Sequence, residues 1–152
     1  LVRDVIDEAL KHIYKKRDEQ KISVIQQDDL LLAKMDARLI VQVLINLLDN
    51  AIKYTPSDSQ ITITAKKDGN MISVSVSDNG NGIADEQKSR VFDMFYTGTN
   101  KIADSRRSIG LGLSLCKSII NAHGGEITIT DNNPHGAVFT FTLPIGEVEI
   151  NE

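Results

Sequence analysis

The chain has 152 residues, the length of one domain, and 41% hydrophobic with 25% charged residues is the composition of a globular chain that buries a core. Seventeen Lys and Arg against 21 Asp and Glu leave a net charge of −4, which argues against a general nucleic-acid or anionic-membrane binder and requires any anionic ligand to be held locally. Cys116, the one cysteine, cannot build a disulfide framework, no apolar run approaches the roughly 18 residues of a membrane span, and no charged-then-apolar leader opens the chain. A soluble, cytoplasmic fragment is expected, and Leu1 in place of Met points to a piece of something longer.

Taken in order, residues 1–17 carry apolar side chains at 2, 5, 6, 9, 10 and 13, the spacing of an amphipathic helix. Lys21 to Gln27 alternates as a strand, and Leu30 to Ala33 is a short apolar run. A second helix is expected from Ala37 to Tyr54, stopped by Thr55-Pro56 because the residue before proline is pushed out of the helical region. Ile61 to Ala65 and Met71 to Ser77 alternate with period two around a polar turn at Lys67-Asp68-Gly69-Asn70, which predicts a β-hairpin. Asp85 to Met94 reads as a short helix or turn, and Tyr96 to Ser108 carries almost no periodicity. Leu111 to Ala122 is a third helix, closed by Gly124-Gly125 where a left-handed cap is wanted. Glu126 to Thr130 and Ala137 to Leu143 are the last strands, joined through residues 131–136. The fold expected is α+β: a two-layer sandwich with three helices on one face of a mixed, mostly antiparallel sheet.

The second helix is apolar almost all round, yet Asn46, Asn50 and Lys53 fall on one line with Asp49 at its edge. Such a stripe is either a solvent-facing side or a ligand-facing one. Amide oxygens suit a hard cation such as Mg²⁺, and a lysine one turn on suits a phosphate. Asp78-Asn79-Gly80-Asn81-Gly82 follows a strand directly. It reads either as an ordinary Asx turn or as a place where a flat ligand meets backbone, with Asp78 accepting from the exocyclic amino group of adenine and repelling the oxo group of guanine. Gly110-Leu111-Gly112-Leu113 opens the third helix, where free N–H groups and the positive dipole end hold phosphate; tight helix-to-sheet packing is the competing account of its glycines. No third glycine and no preceding strand support a dinucleotide fingerprint, and no GxxxxGK[ST] occurs. The aperiodic stretch between Phe95 and Gly110 reads as a lid, in which Lys101, Arg106 and Arg107 either neutralise a triphosphate or form a solvated cluster. Phe92 and Phe95 fit an anchor at its base.

In order, these segments closely resemble the catalytic ATP-binding domain of sensor histidine kinases, the Bergerat (GHKL) type of sandwich shared by gyrase, Hsp90 and MutL ATPases. Asn46 to Tyr54 looks like the family's N box, Asp78 to Gly82 like its first glycine box, Phe92 to Phe95 like its F box, and Gly110 to Leu113 like its second glycine box. His123-Gly124-Gly125 and Gly136 to Pro144 match as well. Residues 104–107, 116–123 and 134–136 look most like the potassium-responsive, Kdp-type sensor kinases.

The resemblance implies that residues 1–152 form one catalytic domain using ATP and Mg²⁺. Asn50 would be the Mg²⁺ ligand with Asn46 beside it, Lys53 a phosphate contact, and Tyr54 an adenine neighbour. Asp78 would fix the adenine amino group and the N–H groups of Gly110, Leu111, Gly112 and Leu113 the phosphates, with Gly80, Gly82, Ile83, Phe95 and Lys101 also in the nucleotide site, and Asn46, Lys53, Arg106 and Arg107 as the catalytic set. Related ATP-hydrolysing machines carry a glutamate where this chain has Asn46, and an amide cannot take a proton from water. A kinase that hands phosphate to neutral imidazole needs no such base. Thr97 stands where an arginine often follows the F-box aromatics, and Ser108 replaces the first glycine of the second glycine box.

The family's phosphoacceptor is a helical histidine followed at once by an acid and soon by a proline. His12, His123 and His135 do not fit, so the chain is expected to bind ATP without phosphorylating itself. The implied partners are the phosphoacceptor histidine domain of the same parent chain and a downstream response regulator, with no nucleic acid. The fragment is expected to be monomeric and the parent a membrane-anchored homodimer. A stand-alone serine kinase of the anti-sigma type and a degenerate nucleotide-sensing interaction module are the competing functions. Asn46 counts against the first, and intact Asn50, Asp78 and glycine segments against the second. Cys116, beside Leu113 and Ile120, reads as a core residue.

Overall fold

Alternation of apolar and hydroxyl side chains organises a five-stranded sheet in this computed structural model, which describes residues 1–13, 21–26, 31–53, 55–56, 58–88 and 111–146. The strands are β1 (Lys21–Gln26), β2 (Gln60–Asp68), β3 (Met71–Asp78), β4 (Ile127–Asp131) and β5 (Ala137–Pro144), in spatial order β1-β2-β3-β5-β4. β1 pairs parallel with β2, and every other pair is antiparallel. The register aligns one face in rows: Val24, Ile63, Val76, Phe139 and Ile129 form one, and Ala65, Val74, Phe141 and Ile127 the next. The other face carries Thr62, Thr64, Ser75, Ser77, Thr128 and Thr140, with Ser75 and Thr140 hydroxyls 2.9 Å apart. One apolar and one hydroxyl face is the pattern of a sheet covered on a single side.

The covering layer is α1 (Val2–Ile13), α2 (Ala37–Lys53) and α4 (Leu111–Ala122), with a four-residue α3 (Asp85–Lys88) after β3. α1 buries Val2, Val5, Ile6, Ala9, Leu10 and Ile13, the six positions its spacing selects. α2 lies between α1 and α4 and against β3, so it buries Ile40, Val43, Leu44, Leu47, Leu48, Ala51 and Ile52. Its start is capped by Asp36, whose carboxylate accepts from Arg38 N–H at 3.1 Å. α4 ends in a Schellman arrangement: Gly125 N–H donates to Ile120 O, Gly124 N–H donates to Asn121 O, and Gly124 has φ +80°. Three principal helices on one face of a mixed, mostly antiparallel sheet is the expected architecture.

The sheet departs from expectation at the hairpin. The β2–β3 ladder runs on through Lys66↔Ser73, Lys67↔Ile72 and Asp68↔Met71, leaving only Gly69 and Asn70 in the turn. The charged residues that look like turn are the exposed tip of a paired strand. β4 likewise extends to Asp131 and β5 to Pro144. The expected first-helix end at Arg17, and Gln27, Leu30 and Tyr54, lie outside the described residues. Among the described residues no helix is long and apolar enough to cross a membrane.

Candidate nucleotide-binding site

Asp78 is the last residue of β3, on the same face as Val74 and Val76, and is 9% exposed. A carboxylate buried on the helix-facing side of a sheet has to be satisfied by neighbours. Its Oδ1 accepts from Gly80 N–H at 2.9 Å, closing an Asx turn, and from Ala137 N–H at 3.3 Å. Among the described residues both hydrogen bonds to this carboxylate end on Oδ1, which leaves Oδ2 as an acceptor. The turn and the ligand acceptor are therefore compatible: one oxygen builds the turn and the other is left over. Gly80 lies against the end of α2, where an added Cβ would come within 2.8 Å of Thr55 Cγ2. Gly82 has φ +77° and sits against Gly136 O. Internal packing and backbone shape thus already call for these two glycines, and Ile83 beyond them packs on the core's edge.

Two further residues, which the sequence showed only as part of a turn, hold this segment. Asn132 Nδ2 donates to Asp78 O at 2.7 Å, and His135 Nδ1 lies 2.9 Å from Gly80 O. The only sequence signal was a run rich in Asn, Pro and Gly between two strands, which marks a turn without naming its neighbour.

On α2, Asn46, Asp49 and Asn50 are half-buried and Lys53 is exposed, so the predicted stripe lies along the boundary of the core. Asn46 faces α4: the nearest atom to a Cβ added at Gly112 would be Asn46 Cγ, at 3.9 Å. That distance is ordinary contact, so packing does not require glycine at position 112. Its missing side chain instead leaves room beside the Asn46 amide at the first turn of α4. One turn further along, Cys116 is fully buried and its thiol donates to Val43 O at 3.8 Å. Burial pushes the thiol up to about 12, against the smaller opposite pull of a hydrogen bond from Asn46. Asn46 is thus seated against both Gly112 and Cys116. Leu113 is half-buried against the core.

Among the described residues no three His, Cys, Asp or Glu gather into a metal-ligating group. Mg²⁺ that arrives with phosphates needs only one or two protein oxygens, and the carboxamides of Asn46 and Asn50 are of the right chemistry. Tyr54, Phe92, Phe95, Thr97, Lys101, Arg106, Arg107, Ser108 and Gly110 lie outside the described residues, as does the Leu111 side chain. The structure therefore brings together Asp78, Gly80 and Gly82 at one end of α2 and β3, and Asn46 with Gly112 between α2 and α4.

The three histidines have different settings, and only His12 is exposed on a helix. His12 is on α1 with Nε2 3.5 Å from Glu8 Oε1. His123 Nε2 accepts from Asp36 N–H at 3.0 Å, so its Nδ1 carries the proton donated to Ile119 O at 2.7 Å. His135 is engaged as described above.

The family model for histidine kinase-, DNA gyrase B-, and HSP90-like ATPases matches residues 35–147. The chain belongs to this ATPase family. The domain is 42% identical over 144 residues to the sensor protein KdpD of Clostridium acetobutylicum, covering 95% of this chain and 16% of that protein. It is 38% identical over 146 residues to the adaptive-response sensory kinase SasA of Rippkaea orientalis, covering 95% of this chain and 36% of the relative. Among solved structures, the nucleotide-free catalytic domain of histidine kinase ThkA superimposes with a TM-score of 0.76 at 33% identity, covering 94% of this chain and 90% of that one. This ATPase domain thus spans a minor part of the sensor kinases it matches and nearly all of a solved catalytic domain.

Proposed function

We propose that this domain binds Mg-ATP and passes the γ-phosphoryl group to a histidine on a separate dimerisation and phosphoacceptor domain of the same parent chain, in two-component signalling. The observation that carries the reading is the seat of Asn46. The position beside the open first turn of α4 holds an amide rather than a carboxylate, and an amide cannot deprotonate water. Hydrolysis is then left without a base, whereas a neutral imidazole attacks phosphorus without one. The match to sensor kinases over nearly the whole chain supports the same choice.

In this reading Asp78 Oδ2 accepts from the adenine amino group, while the Oδ1 bonds keep the carboxylate in place. The backbone N–H groups at the start of α4 hold phosphate oxygens, with room given by Gly112. Lys53, the last residue of α2, contributes positive charge to the phosphates, as do Lys101, Arg106 and Arg107. Mg²⁺, when bound through the Asn50 and Asn46 amides, offsets the charge of the phosphates. As the acceptor nitrogen bonds to the γ-phosphorus, the bond to the β–γ bridging oxygen breaks and its electron pair leaves with ADP. The domain's part is positioning and electrostatics.

The 42% identity to KdpD supports a potassium-responsive parent, membrane-anchored and dimeric, acting on a response regulator. A solved complex of histidine kinase ThkA with the response regulator TrrA supports the last of these. Calorimetric titration with ATP, ADP and GTP, each with and without Mg²⁺, tests the binding half. Adenine-selective, Mg²⁺-strengthened binding is expected. A folded sample that takes up none of them refutes the proposal.

A further inference from the structure

The turn at residues 78–82 is held from one side by the loop of residues 132–136 between β4 and β5, together with the first residue of β5. Asn132 Nδ2 donates to Asp78 O at 2.7 Å, and Ala137 N–H donates to Asp78 Oδ1 at 3.3 Å. A carbonyl can only accept, so the 2.9 Å contact between His135 Nδ1 and Gly80 O places the imidazole proton on Nδ1. Gly136, at φ +117°, lies so close to Asp78 O that a Cβ there would collide with it, and Gly82 rests on Gly136 O. The loop is held from both ends. Asn132 N–H donates to Gly136 O at 2.9 Å, and Lys88 of α3 bridges Asp131 and Asp85 at 2.6 Å each.

We propose that the β4–β5 loop is a brace that fixes the adenine turn, with Asn132 and His135 as positioning residues for Asp78. The inference rests on the reading of Asp78 as the adenine acceptor. A turn containing Gly80 and Gly82 has little conformational preference of its own, and an acceptor that must meet one ligand atom loses affinity when it is displaced by about an ångström. The Asx bond from Gly80 to Asp78 is local and moves with the turn. The loop's bonds span 54 to 59 residues of sequence, so they tie the turn to the β4–β5 connection and, through Ala137, to the start of β5, an interior strand of the sheet. His135 is exposed and lies outside the buried core, so its removal leaves no cavity.

The test compares wild type with His135→Ala, Asn132→Ala and His135→Asn, whose side-chain amide can donate from about the place of Nδ1. Three readings are taken on each: ADP and GDP affinity by calorimetry with Mg²⁺, hydrogen exchange of the Gly80 amide, and the thermal midpoint. Each alanine variant is expected to weaken ADP by about three- to tenfold, the scale of one lost neutral hydrogen bond, and to lower the ADP-to-GDP preference. Gly80 exchange should quicken in both, and His135→Asn should recover ADP affinity toward wild type. Wild-type ADP affinity and Gly80 protection in both alanine variants would overturn the brace. So would a loss of thermal midpoint and ADP affinity together that His135→Asn does not rescue. If wild type itself takes no nucleotide, the adenine reading of Asp78 fails and the inference falls with it, while unchanged or quickened Gly80 exchange still shows whether the loop restrains the turn.

Discussion

Replacing Asp78 by Asn changes one atom of the candidate adenine turn, Oδ2 to an amide nitrogen, and the structure separates the consequences for fold and ligand. Oδ1 carries both backbone bonds, from Gly80 at 2.9 Å and Ala137 at 3.3 Å, and the amide oxygen of asparagine can keep both. The turn should therefore survive, with neutral bonds in place of charge-assisted ones. The remaining atom becomes a donor. It would face the adenine amino group donor to donor, and the oxo group of guanine donor to acceptor. Loss of a hydrogen bond to a charged acceptor costs about 1.5–3 kcal/mol. At about 1.4 kcal/mol per factor of ten, ADP should bind roughly 10- to 150-fold more weakly in Asp78→Asn, while GDP is unchanged or improved. Paired calorimetric titrations of both proteins with ADP and GDP give the ratio directly, with far-ultraviolet circular dichroism as the check on folding. If the Asp78→Asn variant keeps the wild-type preference for adenine, the base is read elsewhere.

Asn50→Ala should remove the Mg²⁺-dependent increment of nucleotide affinity and leave the thermal midpoint near wild type, because Asn50 sits at the half-buried margin of α2; titration with and without Mg²⁺ decides this. Phe141→Ala empties a fully buried position in the row with Val74 and Ile127, and should cost about 3–5 kcal/mol in a denaturant titration, or about 6–20 °C in thermal midpoint. The Cys116 thiol has an ordinary value of 9.0 and is pushed up to about 12 in the fold, so above pH 9 the unfolded chain gives up a proton that the folded chain keeps. Its contribution is present below pH 9 and is lost as pH rises from there toward 12, so Cys116→Ala should flatten that part of the stability-against-pH curve, and folded wild type should resist alkylation at pH 8.

Where a signal was local, the sequence carried it. The six apolar positions of α1 are the six it buries, and Gly124 closes α4 with the positive φ that its place after the helix calls for. α2 was legible as a buried helix with a polar line, since no amphipathic surface helix is apolar over so much of its circumference. The hairpin turn misled because Lys67 and Asp68 have turn-like polarity, while their backbone groups pair out to the strand's tip. Strand order is a further step removed. The parallel pairing of β1 with β2, and the insertion of β5 between β3 and β4, depend on contacts distant in sequence that no periodicity encodes. The site divides in the same way. Asp78 and its glycines announce themselves as one short segment, whereas Asn132 and His135 reach the turn across 54 and 55 residues, and nothing near them in sequence names their partner. The seat of Asn46 against Gly112 and Cys116 likewise appears only once α2 and α4 are packed together.

The most direct test of the central claim is transfer of radiolabelled phosphate from γ-labelled Mg-ATP to the parent's dimerisation and phosphoacceptor domain, supplied as a separate polypeptide. Acid-labile, alkali-stable label on that domain only when this chain is present, and none on this chain by itself, is the predicted result. Label accumulating on His12, His123 or His135 of this chain, or bound ATP with no transfer to the acceptor, would contradict it.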